Sequence, residues 1–532
     1  MPLLYPIHVH ERAEAVSWSK LVPILEHLFP VKFSFGREVM PETAAEIETA
    51  GNPVRTRRSG CPGVFRIPRP KETPTDGKLF EVAINFTDDP DVPFPFRGRS
   101  LEAKVAAQPK PLSLRGDATV LATCETGPVW VVTETFGVKH YESAFDLPNF
   151  EPDTALKEVL NEQRFIEMLP LINWLRVICR QTAYEDPPSR SCFIFDDPNL
   201  HWPRYGFVDF RKLADHAARK NYHVVFATIP LDAWFTHEAT ARMFRNNSRQ
   251  LSLVVHGNDH IKHELAQDYA PSARVNLLRQ AVHRIEHLES KAGLPVSRVM
   301  VPPHGACSEE MLAELPGCGF EAACISHGSL RAHNQGKSWT RHVGFFPSEL
   351  VQGCPVLPRW GLSGNVKNAI LLAAFLGQPM VFRGHHQDLK NGIELLDDLA
   401  EFINSLGPVT WSNMTDISRM NYQWRLEGDT FKVKPLGRKL VLQVPDQASQ
   451  LVIEAGIQTD WDITGLNGNV VKARIGETVS LPKNANRKIL ITAQSPLPVW
   501  SQIGAGRTPV IAIARRLLTE GRDRLLPFSP SK

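Results

Sequence analysis

The chain has 532 residues, which is too long for a single hydrophobic core, so we expect two to four domains. Hydrophobic residues make up 42% of it and charged residues 22%, as is ordinary for a soluble globular protein. Its 60 basic and 57 acidic residues leave a net charge of +3, so no global field attracts nucleic acid or an anionic membrane. We therefore expect no nucleic-acid partner.

Cysteine usage and the first thirty residues bear on the compartment. The eight cysteines contain no Cys-x-x-Cys pair, and several lie in apolar surroundings, such as Cys192 and Cys324. This favours reduced thiols over a disulfide framework. Met1 to Pro30 lacks the pattern of an export signal, and no window reaches the roughly 18 continuous apolar residues of a membrane span. We expect a cytoplasmic protein without a membrane span.

Residues 1–185 mix short strands and helices with proline-rich breaks, which predicts an α/β domain of unknown role. A strand pair is predicted at 117–122 and 129–133, joined by a turn at Glu125 to Gly127. Helical spacing of apolar residues runs from Leu156 to about Arg180. No motif in this segment carries recognisable chemistry.

Residues 186–418 alternate strand and helix regularly, which predicts a parallel sheet or a (β/α) barrel. Gly293 and Gly319 near predicted helix ends are typical stop signals. Predicted strands lie at 192–195, 223–229, 251–255, 297–301, 322–326, 378–382 and 409–411, and predicted helices at 208–220, 271–292 and 308–315.

From residue 419 the pattern changes to short strands at close spacing, including 439–444, 450–454 and 488–492. Leu466 to Asn469 is a good tight-turn signal. We expect a small β-sandwich accessory domain at 419–505 and a basic, helical tail at 506–532. The predicted fold class is thus α/β, with flanking domains on either side of the alternating segment.

Three segments of the middle region place metal-binding or proton-transfer side chains directly after an apolar, strand-like run. They are Asp196 and Asp197 after 192–195, His256 and His260 after 251–255, and His385 and His386 after 379–382. In barrels and open α/β sheets the chemistry collects at the carboxyl ends of such strands. Fifteen of the nineteen histidines lie between His201 and His386. This arrangement predicts a metal-dependent hydrolase.

A catalytic zinc typically takes three protein ligands from histidine and carboxylate and keeps one position for water. His256 and His260 are four residues apart, so a helix that begins after Val255 would place both rings on one face. Asp197, at a neighbouring strand end, would complete the set. The sequence therefore predicts one divalent metal, zinc first, with cobalt or nickel as alternatives.

Two further groups fit proton transfer. Asp196 could take a proton from a water that the metal has made acidic, and His385 or His386 lies where a donor to the leaving group is needed. Each motif alone has an ordinary explanation: a histidine pair on a helix, a solvated Asp-Asp turn before proline, or a polar His-His loop. Their combination at strand ends of one alternating segment favours a metal site.

Over residues 190–418 these motifs resemble the polysaccharide deacetylase family, carbohydrate esterases with a NodB-like (β/α) barrel. The family motif Thr-Phe-Asp-Asp-Gly is similar to Ile194–Pro198, and His-Ser/Thr-x-x-His is similar to His256–His260. Arg-Pro-Pro-Tyr-Gly is similar to Val301–Gly305. The family's late histidine corresponds to His385, with His386 as the close alternative.

The resemblance implies a role for each matching position. Asp196 is the base, His385 or His386 is the acid, and the metal ligands are Asp197, His256 and His260. Pro303, His304 and Gly305 bind substrate, with the backbone at His304 helping to bind the oxyanion. Trp202, close after the Asp pair, offers an aromatic face on which a sugar could stack.

Four positions depart from the family pattern. Pro198 replaces a glycine, Gly257 replaces a hydroxyl residue, and Val301 replaces the arginine that orients the base. The last change bears on the pKa of Asp196. His304 replaces an aromatic residue and could become a fourth ligand that closes the site. The metal triad itself is intact.

The predicted function is a metal-dependent hydrolase that removes an N-acetyl group from a sugar or glycan. One alternative is a catalytically degenerate carbohydrate-binding or scaffold protein on the same fold, favoured by Val301 and Pro198. Another is a metal-dependent amidase that acts on a small molecule. The expected partner is an acetylated sugar or glycan, and the sequence leaves the oligomeric state open.

Overall fold

The computed structural model describes residues 4–10, 18–36, 43–49, 63–68, 78–151, 153–466, 469–481, 487–495 and 510–526. The chain divides into two compact units, one formed by residues 1–184 with 338–345 and one by 185–337 with 346–532. No helix among the described residues is long and apolar enough to cross a membrane. The seven described cysteines are all free thiols, as predicted.

The described residues of the first unit form one mixed sheet of nine strands and three α-helices. The strands are β1 (Tyr5–His10), β2 (Val31–Gly36), β3 (Ala45–Thr49), β4 (Gly63–Ile67), β5 (Phe80–Phe86), β6 (Ser100–Val105), β7 (Thr119–Cys124), β8 (Gly127–Thr135) and β9 (Val138–Ser143). Their order in the sheet is β2-β1-β3-β4-β9-β8-β7-β5-β6. The helices are α1 (Trp18–Leu28), α2 (Leu156–Val159) and α3 (Leu169–Ile178).

Two predictions in this unit have different outcomes. The strand pair around Glu125 is confirmed, since β7 and β8 pair in antiparallel fashion across that turn. The continuous helix from Leu156 to Arg180 is wrong, because the chain breaks between α2 and α3. The Asn161 side chain accepts hydrogen bonds from the backbone N–H groups of Gln163 and Arg164, which replaces helical bonding by a local turn.

The second unit contains a ten-stranded sheet that positions the site. Its strands are β10 (Arg190–Asp196), β13 (Val224–Thr228), β14 (Leu251–His256), β15 (Val296–Val301), β16 (Ala322–Cys324), β17 (Glu349–Val351), β18 (Cys354–Leu357), β19 (Trp360–Gly361), β20 (Met380–Gly384) and β21 (Thr410–Trp411), while β11 (Arg204–Tyr205) and β12 (Val208–Asp209) pair separately. The order is β17-β18-β16-β15-β14-β13-β10-β20-β19, with β21 beside β10. All neighbours are parallel except β17 and β18.

Helices connect these strands as the alternation predicted. They are α4 (Phe210–Lys220), α5 (Glu238–Asn246), α6 (Pro271–Ala292), α7 (Glu309–Glu314), α8 (His327–Ala332), α9 (Val366–Phe375), α10 (Glu394–Asn404) and α11 (Met414–Arg419). Asp209 caps the start of α4, and Gly293 ends α6 in the left-handed conformation. The fold is mixed α/β with a curled, open sheet, which is consistent with a NodB-like fold.

The burial of strand β10 shows why the residues at its carboxyl end have fixed positions. All seven of its residues are buried, as expected for a parallel strand covered on both faces. Cys192 and Ile194 belong to the apolar cluster on one face. Phe195, which alternates with them, packs against Phe226 of the neighbouring strand. The polar residues at the carboxyl ends of the strands therefore project from a rigid base.

The described residues of the remaining part of the second unit form eight short strands and one helix. The strands are β22 (Tyr422–Glu427), β23 (Thr430–Pro435), β24 (Lys439–Gln443), β25 (Gln450–Ile453), β26 (Trp461–Leu466), β27 (Asn469–Ala473), β28 (Thr478–Ser480) and β29 (Lys488–Ala493), in two four-stranded sheets around one apolar cluster. The helix is α12 (Val510–Leu525). The centre of the predicted turn at 466–469 and residues 506–509 and 527–532 of the predicted tail lie outside the described residues. The predicted domain boundaries stay predictions.

Candidate metal centre

The register of the sheet brings the predicted ligands to one edge. Asp196 ends β10 and His256 ends β14, and β13 lies between these two strands. Asp197 directly follows β10, and His260 lies four residues beyond His256 in the next loop. One nitrogen or oxygen atom from each of Asp197, His256 and His260 lies within 4.8 Å of the others. The structure thus gathers the three residues that the motifs singled out.

The hydrogen bonding of His256 shows that this arrangement suits a bound cation. Its Nδ1 lies 2.8 Å from the carbonyl oxygen of Val301, which can only accept, so Nδ1 carries a proton. In the neutral ring, Nε2 then offers a lone pair towards Oδ1 of Asp197 at 3.5 Å. His260 Nε2 lies 3.0 Å from the same oxygen. A cation shared by ligand atoms that face each other in this way would stabilise the arrangement.

The electrostatics point the same way. Burial lowers the pKa of His256, but the Asp196 and Asp197 carboxylates outweigh it and the pKa is raised overall. Burial raises the pKa of Asp197, but contacts with His256 and His260 lower it well below its usual value. The site therefore holds ionised carboxylate together with a positive charge, which a proton or a bound cation can supply. The residues present fit a divalent metal.

The expectation that a helix after Val255 aligns the two histidines is wrong. The chain leaves β14 as a loop, in which Gly257 has φ 61° and His260 has φ 55°. Their ring centroids are nevertheless 5.1 Å apart. Backbone turns in the left-handed region, and not helical periodicity, therefore bring the second ring back to the first.

Glu264 holds this loop from inside. Its carboxylate accepts hydrogen bonds from the backbone N–H groups of Asn258 at 2.6 Å and Asp259 at 3.0 Å. A Cβ at Gly257 would lie only 2.0 Å from Oε1 of Glu264 and 2.5 Å from Cγ of Pro303. The glycine that replaces the family's hydroxyl residue is thus required by the close approach of Glu264 in this chain.

Arg359 takes the place of the arginine that position 301 lacks. It follows β18, and its Nη1 donates to both carboxylate oxygens of Asp196 at 3.0 Å, with both side chains almost fully buried. Burial raises the pKa of Asp196, but Arg359 and then His256 and His385 lower it more. Asp196 therefore stays ionised although Val301 offers no charge.

Substitution at Arg359 should move the pH profile in a defined direction. In Arg359→Met the largest influence that lowers the pKa of Asp196 is lost, so its pKa rises and the acidic limb of kcat/KM shifts to higher pH. Arg359→Lys keeps a positive charge and should shift the limb less. The measurement is kcat/KM against pH for both variants, with circular dichroism to check folding. Identical profiles for wild type and Arg359→Met would contradict this role.

The structure separates the two candidate acids. Phe195 pairs with Gly384 of the parallel strand β20, so His385 follows Gly384 in β20 as Asp196 follows Phe195 in β10. The backbone N–H of His385 donates to the Asp388 carboxylate at 2.7 Å, and the N–H of Asp388 donates to the His385 carbonyl, which fixes the turn that carries the side chain. His385 is half-buried and close enough to Asp196 that its charge lowers the pKa of that carboxyl group. This geometry favours His385 as the acid.

His386 is turned away into the interior. It is 2% exposed, lies between the rings of Tyr205 and Phe207, and its Nε2 is 3.7 Å from Asp523 of α12. A Cβ at Gly206 would lie 2.1 Å from its Nδ1, so the chain leaves space for this ring by having glycine there. His386 is suited to packing and not to proton transfer.

The segment predicted to bind substrate forms a short turn after β15. Pro303 and Gly305 are buried, whereas His304 is exposed and has φ 59°. The His304 ring lies 5.0 Å from that of His260, and burial and then the charges of nearby histidines lower its pKa to about 4. The ligand group at this edge of the sheet consists of the three predicted ligands without His304, and the described residues contain one other such group, His10, Glu46 and Glu48 of the first unit.

Trp202 is 55% exposed and its ring is stacked near His237 at 6.1 Å. It therefore presents one ring face to solvent, as a sugar-stacking residue would. Sequence reasoning missed Arg359, Glu264 and the contacts of α12. Only Arg359 carried a signal, since it follows the buried run of β18 in the way that the other site residues follow their strands.

The fold and site together define a mixed α/β protein with a candidate metal centre at the carboxyl edge of a parallel sheet. It is similar to the carbohydrate deacetylase Agd3, with 10% identity, 93% of this chain and 99% of that chain covered, and a TM-score of 0.49. It is also similar to a family 4 carbohydrate esterase from Streptomyces lividans solved with acetate, with 11% identity, coverage of 43% and 93%, and a TM-score of 0.27.

A third similar structure is the family 4 pseudoenzyme BA3943 from Bacillus anthracis, with 10% identity, coverage of 44% and 66%, and a TM-score of 0.28. No family model and no curated protein matches the chain. The predicted resemblance to carbohydrate deacetylases is thus found again among solved structures, at low identity. Because every one of these TM-scores is below 0.5, the assignment of chemistry rests on the geometry of the site.

Proposed function

We propose that the protein is a metal-dependent hydrolase that removes an N-acetyl group from a sugar or glycan on a NodB-like barrel. The observation that carries the proposal is the convergence of Asp197 Oδ1, His256 Nε2 and His260 Nε2, with His256 fixed by its bond to the Val301 carbonyl. An ionised Asp196 lies beside this group, tied to Arg359. A structural ion pair alone would not require three donor atoms to face one another.

Asp197, His256 and His260 would hold the metal, which we propose to be zinc because imidazole and carboxylate ligands suit it. A bound divalent cation supplies Lewis acidity, which polarises a carbonyl group and makes water more acidic. The chain's own residues move the protons. Asp196 accepts one from the attacking water, and His385 donates one to the departing nitrogen as the C–N bond breaks.

The products are acetate and a free amine, so every proton taken up by Asp196 is balanced by one that His385 gives away. The turn at Pro303–Gly305 lies beside the ligand loop, where the backbone N–H of His304 can face the developing oxyanion. Pro303 has no N–H, and the N–H of Gly305 donates to the Pro302 carbonyl at 3.0 Å. Trp202 offers a ring face for the sugar. The cytoplasmic location inferred from the sequence stays a prediction, and it would favour a nucleotide- or lipid-linked sugar as substrate.

The alternative, a binding protein without turnover, is favoured by the missing arginine at 301 and by Pro198. Arg359 removes the first of these arguments, because Asp196 has its positive partner. A small-molecule amidase uses the same residues and differs only in substrate. Analysis of the reaction products distinguishes the glycan deacetylase, the amidase and the binding protein.

The test is acetate release from N-acetylated glucosamine and galactosamine oligosaccharides and from small N-acetyl amides. The protein is stripped with a chelator and reloaded with zinc, cobalt or nickel. We expect acetate from the oligosaccharides with metal and none after stripping. Acetate only from small amides would support the amidase, and glycan binding without acetate release would support the binding protein.

A further inference from the structure

The C-terminal helix α12 is amphipathic in the opposite sense to most surface helices. Arg516, Glu520 and Asp523 are buried, whereas Ile511 is 83% and Leu518 is 77% exposed. A surface helix ordinarily buries its apolar stripe and exposes its charges. Since α12 turns its polar face inward, directed hydrogen bonds hold it in place.

Two adjacent arginines of this face reach the backbone of the metal centre. Arg516 Nη2 donates to the carbonyl oxygen of Asp197 at 2.8 Å. Arg515 Nη2 donates to the carbonyl oxygens of His260 at 2.6 Å and Asp259 at 2.9 Å. The helix thus contacts two of the three ligand residues, on separate loops, through their main chains.

These two ligand residues also share an unfavourable backbone conformation. Asp197 has φ 83° and His260 has φ 55°, a region in which residues with a Cβ are strained. Such conformations persist when surrounding contacts fix them. A hydrogen bond to the carbonyl fixes the peptide plane that follows each ligand, and with it the direction of the side chain.

The donor side of these bonds is itself fixed. Arg516 forms a buried ion pair with Asp232, with Nη2 2.7 Å from Oδ2 and Nε 2.8 Å from the same atom. Further along the helix, Glu520 lies 3.0 Å from His201 Nδ1, and Asp523 accepts from the Tyr205 hydroxyl at 2.9 Å. The Arg516 guanidinium is therefore fixed directly, and the bonds of Glu520 and Asp523 hold the helix that carries both arginines.

We propose that α12 is a brace for the metal centre, in which Arg515 and Arg516 are positioning residues that hold Asp197 and His260 in their ligating conformations. The inference rests on the proposed function, because it takes these two residues to be metal ligands. Hydrogen-bond partners outside the ligand set typically contribute a factor of about 10–100 in metal affinity. Loss of either arginine should therefore weaken metal binding while the sheet stays folded.

The test uses the full chain with Arg515→Met, which removes the donors but keeps a long side chain. Its matched control is Arg242→Met on α5. Arg242 is exposed, and its 3.8 Å distance from Glu238 is long for an ion pair. The first readout is zinc affinity by competition with a chelator. The second is hydrogen exchange of the backbone amides in 257–264, measured on metal-free protein.

We expect zinc binding about 10–100-fold weaker and faster exchange in Arg515→Met, wild-type values in Arg242→Met, and recovery in Arg515→Lys. Because Arg516→Met alone would leave the Asp232 carboxylate buried without its partner, the double variant Asp232→Asn/Arg516→Met tests the second arginine. Unchanged affinity in both Arg515→Met and the double variant would overturn the brace and leave the metal centre intact. Absence of zinc from the wild type would overturn the proposed function and the brace together.

Discussion

Asp196→Asn is expected to lower kcat by about 10²–10⁴-fold while one metal stays bound per chain. Asparagine keeps the shape of the side chain and one oxygen that can accept from Arg359, but it cannot take a proton from water. Asp196 is not in the ligand group, so metal binding should persist. The measurements are acetate release under saturating substrate and metal content by elemental analysis.

Asp398→Asn on α10 is the matched control, since this aspartate is exposed and lies on a helix away from the carboxyl edge. It should keep both activity and metal. Wild-type turnover in Asp196→Asn would remove the base from the mechanism. Loss of metal in Asp196→Asn would instead make this carboxylate part of the ligand set.

His256→Ala is expected to reduce the metal content from about one ion per chain to a small fraction of one, and to abolish acetate release with it. The reason is the loss of a ligand whose ring is held in the ligating orientation by its bond to the Val301 carbonyl at the end of β15. Removing a ligand should weaken affinity by more than the roughly 10–100-fold of a supporting partner. Elemental analysis after dialysis against zinc measures this.

The Val301 carbonyl also loses its partner in this variant, at a cost of about 1–3 kcal/mol, so thermal unfolding should be followed in parallel. His283→Ala, in which an exposed histidine of α6 is removed, controls for general effects of losing a histidine. Full metal content in His256→Ala would contradict the ligand set. Loss of metal in both variants would show that the ion binds elsewhere.

The strands of the second unit could be predicted because a parallel strand covered on both faces needs a continuous apolar run. Such a run can be recognised from the order of the residues alone, and β10, β14 and β20 begin and end close to their predicted limits. The candidate ligands could be predicted for the same reason, since they follow these runs directly. The single helix expected over 156–180 failed because the Asn161 side chain offers a competing local turn, which apolar periodicity does not record.

What the sequence by itself determined is the set of chemical groups and the strand ends that carry them, because both depend on local order. Only the tertiary structure decided how these groups are held. Arg359 reaches Asp196 from 163 positions away, and Arg516 reaches Asp197 from 319. The sequence alone suggested a base without its arginine at Val301. In the folded chain Arg359, which follows β18, supplies that charge. This is possible because an ion pair depends on distance in space and not on spacing along the chain.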